Sequence, residues 1–200
     1  MFTFITSVRH PNNSLFYERV WDLLRDTLFS VCSQTSPEFR VIVVCNKVLD
    51  DFSDNPLISR YVEFVEVSFD SPSLASGPVT GVPACNVDRG VKFVVGLLAA
   101  QKYDPEYVMF FDADDFVSDR LVETASSRKG KMGWFFNRGA YIQNYNITHR
   151  LGFKDTCGTS HILNYKTVMR DIPTDKLSVS SSVADIRTFV HPFFIKGVLG

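Results

Sequence analysis

Three carboxylates lie within four positions of the sequence, directly after an apolar run at residues 107–111. They belong to Asp112, Asp114 and Asp115, and like charges at this spacing repel one another unless a cation or solvent separates them. Hard divalent cations take oxygen ligands and commonly share them with the phosphates of a substrate. The D-x-D spacing therefore predicts that Asp112 and Asp114 hold Mg²⁺ or Mn²⁺. Asp115 is predicted to contact a bound ligand, to join the metal site or to cap the next helix, and the alternative for all three is a solvated loop.

Polar side chains also follow two other predicted strands. Arg9 comes after the strand at 2–8, and Asn46 comes after the strand at 40–45. Because ligands bind beyond the carboxyl ends of parallel strands, we expect both residues near the acidic cluster. Arg9 and Asn46 are therefore candidate contacts to a substrate, although for Arg9 an ordinary exposed charge is an equal alternative.

The hydrophobic pattern of the first 120 residues alternates between short apolar strands and amphipathic helices. Strands are predicted at 2–8, 40–45, 61–69 and 106–111, and helices at 16–34 and 88–103, with Ser14 as the cap of the first helix. This order predicts an α/β fold with a Rossmann-like, mostly parallel central sheet flanked by helices. Beyond residue 120 the pattern weakens. It predicts one or two strands at 133–147, a turn entering a strand or helix at 157–168, and the start of a helix at 182–194.

Length and composition restrict the class of protein. The chain has 200 residues, of which 45% are hydrophobic, which is enough for one core and predicts one domain. Its net charge of −1 disfavours a nucleic-acid binder, because such proteins neutralise phosphates with basic patches. Four scattered cysteines predict reduced thiols, and the longest apolar stretch, 93–100, is too short to span a bilayer, so we expect a cytoplasmic protein. The apolar ending at 196–200 predicts that C-terminal elements are missing.

Two blocks of the sequence resemble the nucleotide-sugar glycosyltransferases of the GT-A fold, especially the family-2-like group. The first block, residues 27–47, matches the S-x-x-x-Q-T phrase of that family with Ser30, Gln34 and Thr35. The second block, residues 86–123, has a glycine-containing helix start, an alanine-rich helix and a strand that ends in D-x-D-D. The resemblance covers residues 2–123 and implies one GT-A-like domain over 1–200. Residues 1–118 would form its nucleotide-sugar-binding half and residues 119–200 its acceptor-side half.

The resemblance implies the transfer of a sugar from a nucleoside-diphosphate sugar to a hydroxyl group of a carbohydrate or lipid-linked acceptor. Asp112 and Asp114 would hold the metal on the donor diphosphate, and His191 would be a third metal ligand. Three residues at the start of the second helix would contact the nucleotide or the diphosphate: Asp88, Arg89 and Lys92.

The acceptor half would supply the catalytic base of an inverting enzyme. Its candidates are Asp155, Asp171 and Asp185, and Asp185 is favoured because a histidine lies nearby in the sequence. The turn at 157–161 is expected on the acceptor side, near the donor sugar. Where family members often carry an acidic pair after the second strand, this chain has Asn46, which leaves the favoured nucleotide open. Polysaccharide and glycolipid acceptors are common in the family and are compatible with peripheral association at the inner face of a membrane.

Two other functions fit parts of the pattern. A phosphohydrolase of the haloacid-dehalogenase type also carries D-x-D after an apolar strand and uses the first aspartate as a nucleophile. That motif usually lies on the first strand, whereas here it lies beyond residue 110. A non-catalytic GT-A module that binds nucleotide-sugars is the other alternative, and it would explain Asn46 and the abrupt ending of the chain.

Overall fold

The computed structural model of the protein describes residues 1–72, 82–128, 130–143 and 146–190. Its strands are β1 Phe2–Ser7, β2 Phe39–Cys45, β3 Val62–Glu66, β4 Tyr107–Phe110, β5 Gly133–Phe135, β6 Arg138–Gln143, β7 Asn146–Leu151 and β8 His161–Asn164. Its α-helices are α1 Tyr17–Cys32, α2 Pro56–Tyr61, α3 Val82–Ala100, α4 Leu121–Ser126, α5 Tyr165–Met169 and α6 Val183–Phe189.

Six of the strands form one sheet in the order β3-β2-β1-β4-β8-β5, and β6 pairs with β7 in a separate antiparallel hairpin. The first four strands of that order are parallel, β8 is antiparallel to β4, and β5 is antiparallel to β8. This is the mostly parallel α/β architecture that the sequence predicted. The sheet combines strands from both sides of the predicted division at residue 118, and that division into halves stays a prediction.

Both faces of the sheet are covered, because successive side chains of a strand point to opposite faces. In β1, Phe2 and Phe4 pack on the face that carries α1 and α2, whereas Ile5 packs on the face that carries α3. Helix α3 approaches the sheet closely at Gly96, where a Cβ atom would collide with the Ile5 side chain. Two apolar cores result, and they hold β1 and β4 rigidly at the centre of the sheet.

Several predicted boundaries were wrong in detail. Ser14 does not cap α1: the helix begins at Tyr17 without a side-chain cap, because Ser14 ends a short 3-10 helix at Pro11–Asn13. No helix begins at Asp115, since α4 starts only at Leu121. The segment 133–147 contains two complete strands and the start of β7, and 157–168 contains a turn, a strand and a helix. In the described part of the chain, no helix has the length and hydrophobicity needed to cross a membrane.

Candidate active site

A cavity of about 420 Å³ opens at the carboxyl edge of the sheet, between the ends of β1 and β4. The strand order reverses at this point, since β2 and β3 lie on one side of β1 and β4 lies on the other. Crevices of this kind are the usual ligand sites of parallel α/β sheets. Five of the residues predicted from the sequence line it: Arg9, Asp88, Arg89, Asp112 and Asp114.

Asp112 is held in the cavity by its neighbours. The Thr6 hydroxyl donates to the carbonyl of Phe111 at 2.7 Å, which joins β1 to the residue just before it. Arg89 Nη1 donates to Asp112 Oδ1 at 3.0 Å, and both side chains are partly buried. Burial raises the pKa of the Asp112 carboxyl above its usual range; the Arg89 guanidinium opposes this rise, and the neighbouring aspartates add to it.

The other oxygen of Asp112 faces Gly158, where an added Cβ atom would lie 3.6 Å from Oδ2. Asp114 lies two residues further along, is exposed, and lines the same cavity. Among the described residues, no group of three or more His, Cys, Asp and Glu side chains is arranged to hold a metal. The predicted third ligand, His191, lies outside the described residues.

Asp115 faces the turn that precedes β8. Its Oδ2 accepts hydrogen bonds from the Thr159 hydroxyl and, at 3.5 Å, from Cys157 Sγ. The same Thr159 oxygen accepts the backbone N–H of Asp112 at 2.9 Å. Because β8 runs antiparallel to β4, its amino end lies beside the carboxyl end of β4 and brings this turn to the acidic cluster. The turn at 157–161 thus lies next to the cavity, and Asp115 anchors it.

Lys92 is completely buried and belongs to the support of the cavity rather than to its lining. Its Nζ donates to Asp88 Oδ2 at 2.7 Å and to the Val8 carbonyl at 2.9 Å. Burial lowers the pKa of the Lys92 ammonium, and the Asp88 carboxylate opposes that shift. These hydrogen bonds join α3 to the residue that follows β1, and Arg9 and Arg89 line the same cavity.

Asn46 also has internal partners. Its side-chain amide donates to the carbonyls of Val67 and Phe69, at 3.1 and 3.0 Å, and it does not line the cavity. The structure therefore gives Asn46 a role in joining the end of β2 to the chain that follows β3. Sequence reasoning missed Asn13, which lines the cavity and contacts Cys85 and the backbone of Pro72. Its position in the His10–Asn13 break after β1 was the available signal.

None of the three candidate bases lines the cavity. Asp185 is exposed and forms a capping box with Ser182 at the start of α6, where its Oδ2 accepts the Ser182 backbone N–H at 3.0 Å. Hydrogen bonds from Ser182 lower the pKa of the Asp185 carboxyl. Asp155 is paired with Lys154, and Asp171 lies 3.9 Å from Arg170, both on the surface. The structure thus does not bring Asp185 to the acidic cluster, and its role as a base stays a prediction.

The S-x-x-x-Q-T residues bind the segment that follows the acidic cluster. Ser30 Oγ donates to the Val117 carbonyl and accepts the Val117 N–H, both at 3.1 Å. Gln34 donates to the Ser118 carbonyl at 2.8 Å and accepts the Val122 N–H at 2.9 Å. Thr35 adds its N–H, which donates to the Asp119 carbonyl. We call these three residues the α1 clamp, because they join the end of α1 to 117–122.

Comparison with solved structures finds S. aureus TarS, a GT-A family glycosyltransferase. Residues 1–349 of TarS match 94% of this chain and 53% of that chain, with 15% sequence identity and a TM-score of 0.46. The complex of the same TarS fragment with UDP-GlcNAc matches 85% of this chain and 46% of that chain, with 16% identity and a TM-score of 0.48. This chain thus spans about half the length of that fragment.

A 4-diphosphocytidyl-2C-methyl-D-erythritol synthase from Anaerococcus prevotii DSM 20548 is also similar, over 84% of this chain and 73% of that one, with 16% identity and a TM-score of 0.41. No protein-family model matches this chain, and no curated protein matches it significantly. All three of these matches have TM-scores below 0.5 and sequence identities of at most 16%. The activity of the chain is therefore inferred from its own residues.

Proposed function

We propose that this chain is a metal-dependent glycosyltransferase that moves a sugar from a nucleoside-diphosphate sugar to an acceptor hydroxyl. The observation that carries the proposal is the pairing of Arg89 with Asp112 in the β1–β4 cavity, with Asp114 beside them. In this proposal a cation and a diphosphate bind together to the paired charges. The carboxylates suit the cation, and the guanidinium suits phosphate oxygens.

Asp112 and Asp114 are the residues that would hold Mn²⁺ or Mg²⁺. Both present hard oxygen donors to one cavity, and Gly158 leaves space beside Asp112 Oδ2. Two carboxylates suffice for such a cation when substrate phosphates complete its coordination. The bound metal would offset the charge that develops on the departing nucleoside diphosphate.

The start of α3 provides a second contribution to anion binding. Cys85 lies in its first turn and lines the cavity, and Asn86 and Arg89 line it from the turns that follow. The helix runs for 19 residues, and the positive end of its dipole lies at this terminus. With a cation on Asp112, the Arg89 guanidinium becomes available to a diphosphate oxygen. Residues 7–10, at the end of β1 and just after it, and Asn13 would then contact the nucleoside.

The turn at 157–161 adjoins Asp112 on the side away from β1 and would face the donor sugar and the acceptor. The acceptor is a carbohydrate or a lipid-linked molecule in this proposal, and an inverting reaction would need a base in that region. Asp185 would serve only if α6 gave up its capping box. That requirement supports a second candidate function: a module that binds the nucleotide-sugar without transferring it.

A thermal-shift panel tests the proposal directly. UDP, GDP, TDP and CMP sugars are each added with and without Mn²⁺, because a ligand that binds only the folded state raises Tm. We expect one nucleotide series to raise Tm in the presence of Mn²⁺ and to lose this effect in Arg89→Gln and Asp114→Ala. The exposed Asp175→Ala variant is the matched control and should respond like the parent.

Two outcomes separate the alternatives. If no nucleotide-sugar raises Tm with either Mn²⁺ or Mg²⁺, or if Asp114→Ala responds like the parent, the metal-dependent donor site is wrong. If a donor binds but is neither hydrolysed nor transferred to any acceptor, the non-catalytic module is correct. Release of phosphate from a simple phosphomonoester, abolished by Asp112→Asn, would instead identify a phosphohydrolase.

A further inference from the structure

A second cavity, of about 500 Å³, lies between α4, β5 and the β6–β7 hairpin. We call it the α4 groove. Its floor is built from buried apolar side chains of three different elements, among them Met109, Leu121 and Ile162. Its walls are aromatic and aliphatic, with Trp134, Phe135, Phe136, Ile142 and Phe153. Concave apolar sites of this size commonly bury most of the surface of a small ligand.

Three arginines border this apolar groove: Arg120, Arg128 and Arg138. All three side chains are exposed. Arg120 lies 3.3 Å from the Glu123 carboxylate, whereas no ion pair of Arg128 or Arg138 forms among the described residues. Residues 119–155 contain seven Lys and Arg and three Asp and Glu, a net charge of +4, whereas the whole chain has a net charge of −1. The groove therefore complements a ligand that combines an apolar part with an anionic group.

The groove continues along the hairpin. Ile142 lines it, and Ile147 is the direct cross-strand partner of Ile142, with 61% and 64% of their surfaces exposed. Leu151 pairs with Arg138 on the same face, because residues two apart on a strand share a face. This face thus carries exposed aliphatic side chains beside an arginine, an arrangement that suits an alkyl chain with a charged head.

The groove begins where the β1–β4 cavity ends. Phe116 and Val117 line it directly after the acidic cluster, and Thr159 lines it while bonded to Asp112 and Asp115. A molecule in the groove would therefore have one end next to the turn at 157–161. That location suits an acceptor better than a donor, since the diphosphate site lies on the other side of Asp112.

We infer that the α4 groove binds the hydrocarbon chain of a phosphate-bearing amphiphile, with Arg128 and Arg138 at its phosphate. Under the proposed function, the amphiphile is the lipid-linked acceptor. Only this assignment rests on the proposed function. A concave site between three elements accepts a single chain, and the exposed arginines then remain at the solvent boundary with the phosphate. Each arginine supplies charge-assisted hydrogen bonds to phosphate oxygens.

Calorimetric titration with octyl, decyl and dodecyl phosphate, each below its critical micelle concentration, tests the inference. If the chain lies in the groove, each added CH₂ should lower Kd about threefold to fourfold until the groove is full. The double variant Arg128→Gln, Arg138→Gln should weaken dodecyl phosphate about tenfold or more. The exposed pair Arg60→Gln, Arg170→Gln is the matched control and should leave Kd unchanged.

A groove-filling variant provides an independent check. Ala140 is exposed and lines the groove, so Ala140→Trp should abolish binding while leaving Tm near that of the parent. Equal Kd values across the chain-length series, equal binding of dodecyl maltoside, or equal binding by the double variant would each overturn the inference. If inorganic phosphate competes for the site as well as dodecyl phosphate does, the groove is only an anion site, and the inference is also overturned.

These titrations contain no nucleotide-sugar, so the two hypotheses fail separately. If the protein binds dodecyl phosphate in the groove but shows no Mn²⁺-dependent donor binding, the inference about the groove stands and the proposed function is wrong. If the protein binds a donor but no alkyl phosphate, the proposed function stands and the inference about the groove is wrong.

Discussion

The β1–β4 cavity and the α4 groove adjoin the same central strand but have opposite chemistry. The cavity lies beyond the end of β4 and is lined by three carboxylates and two arginines, together with the start of α3. The groove has Met109 of β4 in its floor and is mainly aromatic and aliphatic. Strand ends and helix starts leave backbone groups and polar side chains at an edge, whereas the face of the sheet presents mainly apolar side chains. This difference is the reason why we propose a charged donor for the cavity and an amphiphile for the groove.

The segment 112–122 forms the boundary between these two sites. On one side it is held by Arg89 and Thr159, and on the other by the α1 clamp, whose hydrogen bonds join residues 84 to 88 positions apart in the sequence. The two sites thus share one short stretch of chain as their boundary. Variants on either side of the boundary, and within it, should separate their contributions.

Removal of the acidic cluster should have the largest effect. Under the proposed function, Asp112→Asn and Asp114→Ala should each lower kcat/KM by about a thousandfold, or ~4 kcal/mol, because the proposed metal would lose a ligand and the departing diphosphate would lose its counter-charge. Steady-state kinetics against the preferred donor measure this. Binding of dodecyl phosphate should stay unchanged, and parallel losses in both assays would contradict the separation of the two sites.

Lys92→Met should cause the largest loss of stability. It leaves the Asp88 carboxylate, whose side chain is 11% exposed, without its partner and removes a hydrogen bond to the Val8 carbonyl, which we expect to cost about 3 kcal/mol. Urea denaturation measures the free energy of unfolding. Lys102→Met is the matched control: its exposed pair with Glu63 should contribute less than about 1 kcal/mol. Equal losses in the two variants would show that Lys92 does not join α3 to β1 as described.

Gln34→Met should have a smaller effect that reaches both sites. It keeps the length of the side chain but removes the hydrogen bonds to Ser118 and Val122, at a cost of about 1–2 kcal/mol. Because these bonds hold the boundary segment, both donor affinity and dodecyl phosphate affinity should fall. Ser33→Ala, one residue away, should change neither affinity; a Gln34→Met variant that behaves like it would contradict the role of the α1 clamp.

Asp185→Asn should have the smallest effect. Asparagine keeps an oxygen that can accept the Ser182 N–H, so the capping box and Tm should change little. An asparagine cannot act as a base, however, so kcat would fall more than a hundredfold if Asp185 took the acceptor proton. Tm and kcat measured on one preparation decide between these roles, and we expect kcat to stay within about twofold.

The first half of the chain could be predicted well because its apolar segments are long and regularly spaced. Strand β1, helix α1 and strand β2 were expected close to their observed positions, and D-x-D after β4 was expected at the edge of the sheet where the β1–β4 cavity opens. The hairpin and the short helices after residue 120 were predicted only in outline. They bury few side chains, so their sequence carries little periodicity, and the hairpin is exposed on both strands.

Individual residues at the strand ends could not be assigned from sequence. Asn46 and Lys92 looked like ligand contacts, but each is bonded to backbone or to a neighbouring side chain inside the protein. The sequence shows that a polar side chain follows a strand, but it does not show whether a backbone carbonyl from another part of the chain lies within hydrogen-bond distance of it. Asn13 was missed for the same reason, because its partners come from parts of the chain about 60 to 70 residues away.

The sequence by itself determined the α/β architecture and the identity of the acidic cluster, because both depend on local periodicity and on residues adjacent in the chain. Tertiary structure alone decided which charges share a cavity. Arg89 meets Asp112 only because α3 packs closely on β1 at Gly96, and Thr159 meets Asp112 only because β8 runs antiparallel beside β4. The α4 groove likewise exists only where α4, β5 and the hairpin come together, since none of the three segments is concave alone.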